Sequence, residues 1–347
     1  MLSYRHAFHA GNHADVFKHA LLVMLFERFN AKKAPYTFID THAGSARYDL
    51  KGERALKTGD AQSGILKLLE AIPLAEEAQP RCKANAEAAR YTQESQLSEK
   101  SSANAETPLR EGLVSECRSG FIDFQKYLHF AKTCLDAGFY PGSPEIAFAF
   151  MRAKDGLILS ELHPDEIGAL RQNMRASAVN ARNAPEVHIH HRDGFEALRA
   201  LTPPKTKRGI VFCDPSYEDA SDYERTAAAL IETHKRWAGA TLALWYPLVA
   251  VKKIERDAMK QKIIAGIKSL KTDRGILDAI LCVNTENSHI ESALKDVNRS
   301  EPPRLYGSGM LVVNPPWKID DELRAVLPLL AETLGSGSAG SYNINNY

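Results

Sequence analysis

Short apolar runs alternate along this chain with longer segments whose apolar residues recur at helical spacing. Runs of about four to eight residues, rich in β-branched and aromatic side chains, are typical of buried strands. The pattern predicts seven strands, near residues 36–40, 156–161, 186–190, 209–213, 241–246, 277–284 and 308–313. Because strands that alternate with helices form parallel sheets, we expect an α/β fold with a doubly wound, Rossmann-like, mostly parallel sheet of seven strands. No clear helix joins the last two strands, so the last edge strand should run antiparallel.

The segment between the first and second strands departs from this rhythm. Two stretches in it look helical, whereas residues 75–118 are rich in Ala, Glu, Ser, Lys, Gln and Asn and have few large apolar side chains. Such a composition buries too little apolar surface to offset the entropy lost on ordering. We therefore predict one fold that is interrupted by a small helical insertion and followed by a loose tail. The parts are a Rossmann-like domain (1–45 and 140–334), an inserted helical subdomain (46–139) with a flexible loop at about 75–118, and a flexible tail (335–347).

The composition is that of an ordinary globular protein and changes this picture little. The chain has 347 residues, of which 44% are hydrophobic and 25% charged, and its net charge of +1 carries no strong signal for a partner. The five cysteines lie far apart without a Cys-x-x-Cys pair, which argues against a disulfide framework or a zinc ribbon. The start of the chain has no apolar signal core, and no run approaches the roughly 18 apolar residues of a membrane span. We expect a cytoplasmic protein.

The first candidate chemistry lies at the end of the fourth strand, where residues 211–213 lead into Asp214, Pro215, Ser216 and Tyr217. Ligands of open parallel sheets bind beyond the carboxyl ends of the strands. The Asp214 carboxylate and the Pro215 carbonyl can both accept hydrogen bonds, and Tyr217 offers a flat ring for a planar substrate. Two acceptors and an aromatic ring suit the exocyclic amino group of a base better than a phosphate. A turn that merely caps a strand remains the alternative.

Three further strands end in residues that suit a nucleoside ligand. They are Asp40 with His42 and Gly44, Glu161, and Asp193 with Gly194. An acid in the position of Glu161 suits a ribose hydroxyl, and Asp193 can accept a hydrogen bond from an adenine amino group. The glycine loop lacks both Gly-x-Gly-x-x-Gly and Gly-Lys-Ser/Thr, which argues against a dinucleotide and a nucleoside triphosphate. An adenosine ligand without phosphates fits better and indicates S-adenosyl-L-methionine, although any one of these acids alone would more often cap a helix.

The N-terminal histidines allow a metal site, which we do not expect. His9 and His13 are four residues apart, but Gly11 and Asn12 disfavour a helix between them and no His-Glu-x-x-His pattern is present. His19 falls on a predicted helix, where a lone histidine is more often packed than functional. A metal-dependent hydrolase is therefore the weakest of the alternatives.

Two other stretches have both a structural and a functional interpretation. The basic run from 252 to 274 is either a solvated helix face or a surface for RNA phosphates. It contains Lys252, Lys253, Arg256, Lys260, Lys262, Lys268, Lys271 and Arg274. Tyr4, Arg5 and Lys18 are further candidates for contact with RNA. Asn314-Pro315-Pro316-Trp317 resembles an amino-methylation motif, but we expect a structural turn in which Trp317 is packed.

Motifs along nearly the whole chain resemble those of the bacterial RlmJ family. They are MLSYRH (1–6), FHAGNHADV (8–16), KH (18–19), DTHAG (40–44), YPGSP (140–144), ELHP (161–164), DGF (193–195), DPSY (214–217), LWYP (244–247), GM (309–310) and NPPW (314–317). Only about 75–118 and the tail lie outside this resemblance. It implies a class I S-adenosylmethionine-dependent methyltransferase fold with a helical insertion. It also implies N6-methylation of adenine 2030 in 23S ribosomal RNA.

The resemblance also implies roles for single residues. Asp214 is implied to be the catalytic acceptor and Tyr4 a contact for the RNA. Cofactor contacts are implied for His19, His42, Ser143, Glu161, Asp193, Gly194 and Asp214. Ser216 stands where the family has a second proline, which frees a backbone angle and adds a hydrogen-bond donor.

We expect an active enzyme that acts as a monomer on 23S ribosomal RNA, in deproteinised or early-assembly form, without a membrane partner. Two other interpretations remain open at this point. One is a DNA adenine-N6 methyltransferase, and the other is a catalytically silent RNA-binding protein on a methyltransferase scaffold.

Overall fold

The structure, a computed structural model, describes residues 6–75, 118–179, 181, 183–286 and 305–347. The strands are β1 (Thr37–Asp40), β2 (Arg47–Tyr48), β3 (Tyr140–Pro141), β4 (Gly156–Glu161), β5 (Glu186–His191), β6 (Gly209–Cys213), β7 (Thr241–Leu248), β8 (Ile276–Cys282), β9 (Gly307–Val313) and β10 (Ser341–Asn346). The helices are α1 (His13–Asn30), α2 (Glu53–Thr58), α3 (Asp60–Ser63), α4 (Ile65–Ala71), α5 (Arg118–Asp136), α6 (Ser143–Phe150), α7 (Pro164–Ala178), α8 (Gly194–Leu201), α9 (Ala220–Arg236), α10 (Lys253–Ser269) and α11 (Ile319–Leu334). Short 3-10 turns cover His6–Phe8, Ala250–Lys252 and Gly337–Ala339.

Eight strands form one sheet in the order β10-β8-β9-β7-β6-β1-β4-β5. The pairs from β7 through β6, β1 and β4 to β5 are parallel, whereas β9 is antiparallel to both β7 and β8. The predicted mostly parallel α/β sheet is confirmed, and the seven predicted strands correspond to β1 and β4–β9. An antiparallel edge strand is present too, but it is β10. The last predicted strand, β9, lies inside the sheet.

The tail that we expected to be flexible forms this edge strand, and that expectation is corrected here. Ser341–Asn346 pairs antiparallel with residues 277–282 of β8, and Tyr347 exchanges two backbone hydrogen bonds with Ile276. Ile344 packs against the core. The Asn- and Ser-rich composition is misleading because an edge strand is held mainly by its backbone, whose pairing does not depend on side-chain hydrophobicity.

Helix α1 is buried around most of its circumference, which explains why polar residues on it lie inside the protein. It packs against α5, α6 and α11. Asn12 caps its first turn, because the Asn12 side chain accepts a hydrogen bond from the Asp15 backbone N–H at 2.9 Å. Lys18 and His19 lie on helix α1, near the edge of the sheet where β1 and β6 end.

The two ends of the insertion meet, because β2 pairs antiparallel with β3 in a separate two-stranded sheet. After α4, the chain is bound to α5 by the buried Gln125 side chain. Its amide nitrogen donates to the Pro73 carbonyl, and its amide oxygen accepts from the Ala75 N–H, both at 3.2 Å. The loop predicted at about 75–118 lies almost entirely outside the described residues.

The Asn314 turn lies at the edge of the sheet opposite the ends of β1 and β6, because β9 runs antiparallel to β7. Asn314 adopts a left-handed backbone with φ of 53°. Its side chain donates to the carbonyls of Ala238 and Ala240 and accepts from the Arg274 N–H. These bonds match the structural turn expected from the sequence. The expected packing of Trp317 is wrong, since this side chain is 81% exposed.

Candidate active site

The carboxyl ends of β1, β4, β5 and β6 lie side by side and border a cavity of about 350 Å³. The residues for which the resemblance implies cofactor contacts all line this cavity: His19, His42, Ser143, Glu161, Asp193, Gly194 and Asp214. Lys18, Pro215 and Ser216 line it as well. Tyr217 is not among the lining residues, and Tyr4 and Arg5 lie outside the described part of the chain.

The Asp214 carboxylate is held by a buried ionic network that begins on α1. Lys18 Nζ lies 2.6 Å from Asp214 Oδ2 and 2.8 Å from Asp15 Oδ1. His6 Nε2 and the Gly11 N–H contact the other oxygen of Asp15 at 2.9 and 2.8 Å. Burial opposes ionisation of Asp15, but His6 and Lys18 hold its pKa well below the usual range. Lys18, predicted as an RNA contact, thus orients Asp214, whose Oδ1 atom makes no hydrogen bond to the described residues.

Glu161 organises the loops on either side of it. Its Oε2 atom accepts from the Gly44 N–H and its Oε1 atom from the His163 N–H, both at 2.7 Å. Burial raises the pKa of Glu161. Each carboxylate oxygen has a second lone pair, so Glu161 can still accept a hydrogen bond from a ligand hydroxyl.

Asp193 both caps a helix and lines the cavity, which are the two positions that the sequence left open for it. Its Oδ1 atom caps α8 by accepting from the Phe195 and Glu196 N–H groups at 3.0 and 3.1 Å. Its Oδ2 atom accepts from Arg225 Nη2 at 2.8 Å, and the Arg225 guanidinium lies over the Phe195 ring. Burial acts against ionisation, yet the hydrogen bond from Arg225 leads in lowering the pKa of Asp193. Asp193 is therefore a helix cap that also lines the cavity.

Gly194 is required at its position by a close approach of two backbone segments. A Cβ atom at this residue would lie 2.2 Å from the Thr41 carbonyl oxygen. Thr41 cannot retreat easily, because its N–H and its hydroxyl both bond to the Phe212 carbonyl at 3.1 Å. A side chain here would therefore push the start of α8, together with Asp193, away from the end of β1.

Two of the histidines that line the cavity, His19 and His42, are kept neutral. Burial lowers the pKa of His42 to about 4 and that of His19 to about 3. His42 Nδ1 lies 2.7 Å from the Thr41 hydroxyl, and His19 Nδ1 lies 3.0 Å from the Tyr140 hydroxyl. Ser143 donates to Asp40 Oδ2 at 2.6 Å, and burial raises the pKa of Asp40 to about 7.

Tyr217 lies beside the cavity rather than in it. Its hydroxyl donates to the Trp245 carbonyl at 3.0 Å, and its ring centroid is 4.6 Å from that of Tyr223. It is only 6% exposed. Its φ of 53° is uncommon for a residue with a side chain. In this conformation the Tyr217 ring is packed against neighbouring aromatics, so its stacking on a substrate base stays a prediction.

The sequence patterns did not predict that Arg225 lies at the site, and they did not predict the ion pairs of the basic run. Arg225 lies in α9, away from any strand end, so that no local pattern marked it. In the basic run, Lys260 Nζ lies 2.6 Å from the buried Asp278, and Lys253 Nζ lies 2.9 Å from Glu286. Arg256 is buried and donates to the Tyr306 hydroxyl. These partners favour the structural interpretation of the run.

The N-terminal histidines pair with carboxylates instead of converging on one point. His6 contacts Asp15 and His9 contacts Asp60, each at 2.9 Å. Among the described residues, no three or more His, Cys, Asp or Glu side chains are placed together to hold a metal ion. The helices within the described ranges include none that is long and apolar enough to cross a membrane.

Comparison with known proteins gives concordant matches over almost the entire chain. The profile of a family described as "Ribosomal RNA large subunit methyltransferase D, RlmJ" matches residues 33–111 and 84–346. The chain is similar to ribosomal RNA large subunit methyltransferase J of Escherichia coli (strain K12), with 32% identity over 99% of this chain and 98% of that protein. The protein of the same name from Haemophilus influenzae is 30% identical over 99% of this chain and 98% of its own. A crystal structure of a Legionella pneumophila protein covers 97% of this chain, and 98% of its own, at 25% identity with a TM-score of 0.68.

Proposed function

This chain belongs to the RlmJ family of ribosomal RNA large subunit methyltransferases, and on that premise we propose that its cavity transfers the methyl group of S-adenosyl-L-methionine to N6 of an adenine. The chain is an rRNA methyltransferase. We assign 23S ribosomal RNA as its substrate and adenine 2030 as the target, following the family. The observation that carries the proposal is the Asp214 carboxylate, which Lys18 holds next to Pro215 at the end of β6, beside an acid-lined cavity.

The residues of the cavity fit this cofactor. A volume of about 350 Å³ lies within the range of roughly 300–1,000 Å³ for small-molecule sites. Glu161, Asp193 and Asp214 suit a ligand that carries positive charge, hydroxyls and an amino group. The close contact at Gly194 brings backbone to the ligand side of the sheet, and the glycine loop after β1 has no phosphate-binding pattern. When bound, S-adenosyl-L-methionine supplies a methyl group on a positively charged sulfur.

Asp214 and Pro215 would act on the amino group of the target base. That nitrogen is a weak nucleophile because its lone pair is delocalised into the ring. Asp214 Oδ1 and the Pro215 carbonyl can accept its two hydrogens, which draws the nitrogen toward tetrahedral geometry and aims its lone pair at the cofactor side. Lys18 stays on Asp214 Oδ2 and fixes the direction of the carboxylate. Such positioning can contribute about 7–11 kcal/mol to lowering a barrier.

The target base must leave its stack before it can enter the cavity, as in other enzymes that modify bases. We propose that Tyr217 stacks on it, a contact worth about 1–3 kcal/mol, which requires its ring to leave the packing against Tyr223. Tyr4 and Arg5 are proposed to contact the RNA. We further propose that the enzyme acts as a monomer on deproteinised or early-assembly RNA.

A methyl-transfer assay tests the proposal. The protein would be incubated with S-adenosyl-L-methionine carrying a labelled methyl group, and with 23S ribosomal RNA or duplex DNA. The RNA would then be digested to nucleosides. We expect N6-methyladenosine from the RNA only, and no product from Asp214→Ala. Asp136→Asn, a change at an exposed carboxylate on α5, is the matched control and should be fully active. Undiminished transfer by Asp214→Ala would refute the assignment.

A further inference from the structure

Two tyrosines link helix α5 to the cavity through hydrogen bonds. The hydroxyl oxygens of Tyr127 in α5 and Tyr140 in β3 lie 3.0 Å apart, and the Tyr140 hydroxyl lies 3.0 Å from His19 Nδ1. All three side chains are buried. His19 lines the cavity, and its second ring nitrogen, Nε2, makes no hydrogen bond within the described residues.

The direction of these hydrogen bonds follows from the number of hydroxyl protons and the acceptors available to them. Among the described residues, Tyr127 has only Tyr140 as an acceptor, and Tyr140 has only Tyr127 and His19. If Nδ1 carried the ring proton and donated to Tyr140, one of the two hydroxyl protons would be buried without an acceptor, which is costly. If Nδ1 accepts, Tyr127 donates to Tyr140, Tyr140 donates to Nδ1, and both hydroxyl protons have acceptors.

The three groups are neutral near neutral pH. Burial lowers the pKa of His19 to about 3 and raises the pKa values of Tyr127 and Tyr140 above their ordinary range. The single ring proton of a neutral His19 whose Nδ1 accepts a hydrogen bond must be on Nε2.

We propose that Tyr140 is a positioning residue that holds His19 in the Nε2–H tautomer, so that His19 presents a hydrogen-bond donor to the carboxylate of S-adenosyl-L-methionine, whereas Tyr127 extends the chain of hydrogen bonds without fixing the tautomer. The inference rests on the proposed function, because it requires that cofactor in the cavity. The carboxylate is the only anionic group of this cofactor. A donor in the place of His19 Nε2 would find no favourable partner in the ammonium or the sulfonium group.

Two substitutions separate this role from simple packing, because each removes a hydroxyl and keeps the ring. In Tyr140→Phe, Nδ1 loses its donor and the tautomer is no longer fixed. We expect the dissociation constant for S-adenosyl-L-methionine, measured by calorimetry on the full chain, to rise about tenfold. In Tyr127→Phe, Tyr140 can still donate to Nδ1, so the constant should change by less than about twofold.

A cofactor analogue without the carboxylate distinguishes the proposed role of Tyr140 from a purely structural one. Decarboxylated S-adenosylmethionine should bind the wild type and Tyr140→Phe equally. Equal losses for both ligands in Tyr140→Phe, or no loss for either, would overturn the inference.

The tautomer itself can be read from nitrogen NMR spectra of protein with labelled histidine. For the free wild type we expect a protonated Nε2 and an unprotonated Nδ1 on His19, with a mixture in Tyr140→Phe. A wild-type spectrum with the proton on Nδ1 would contradict the proposal even if affinities change. A wild type that binds neither ligand would instead overturn the proposed function, and this inference with it.

Discussion

The contact between Gly194 and Thr41 allows a quantitative test of how the cavity is held together. A Cβ atom at Gly194 would lie 2.2 Å from the Thr41 carbonyl oxygen and 2.9 Å from both the carbonyl carbon and Cβ of Thr41. These distances are below any normal contact, and two bonds to the Phe212 carbonyl fix Thr41. In Gly194→Ala the first turn of α8 must therefore move by roughly 1 Å, and overpacking of this kind costs about 1–3 kcal/mol.

The same movement displaces Asp193, which precedes Gly194 and lines the cavity. We expect the unfolding free energy of Gly194→Ala, measured by chemical denaturation, to fall by about 1–3 kcal/mol. The dissociation constant for S-adenosyl-L-methionine should rise at least tenfold, which corresponds to about 1.4 kcal/mol. Both measurements use the full chain.

Gly168→Ala is the matched control. Gly168 lies inside α7, and a Cβ atom there would meet nothing within 4 Å. Alanine should stabilise this helix by about 0.5–1 kcal/mol and leave cofactor affinity unchanged. If Gly194→Ala behaved like Gly168→Ala in both assays, the close approach would not matter and the reasoning would be refuted.

Two further predictions concern pH and the last strand. Burial raises the pKa of Asp40 from 3.8 to about 7. Between about pH 4 and 7 the folded protein therefore keeps a proton on Asp40 that the unfolded chain has lost. The unfolding free energy should fall over this pH range and level off above it. Asp40→Asn should remove this fall, at about 1.4 kcal/mol per pKa unit, and denaturation curves that keep the same pH dependence in both proteins would contradict the assignment. Deletion of residues 341–347 removes β10 and exposes the β8 backbone, which should lower the melting temperature and promote self-association in size-exclusion chromatography; an unchanged melting temperature and elution volume would argue against a structural role for β10.

The position of the site could be predicted from the sequence because it depends on strand ends. Asp40, Glu161 and Asp214 each lie at or directly after a short apolar run, and parallel pairing then brings these ends to the same edge of the sheet. The proposed ligand followed from residue type, because acids beside a loop without a phosphate-binding pattern suit an adenosine that carries no phosphate. The family motifs added His19 and Ser143, which no strand end marks.

What escaped prediction depends on contacts between distant residues. Arg225 reaches Asp193 only because α9 packs beside α8, and the sequence does not report that packing. Lys18 looked like a phosphate contact, since only the fold brings it to Asp214, 196 residues away. Trp317 follows two prolines at the far edge of the sheet, where the Asn314 side chain completes the turn without the aromatic ring.

The place where Gln125 binds the backbone of Pro73 and Ala75 has a practical consequence. The backbone of Pro73 and Ala75 is thereby secured on α5. A fluorescent reporter attached at Ala75 should therefore move with α5, whereas the opposite end of the insertion is held where β2 pairs with β3.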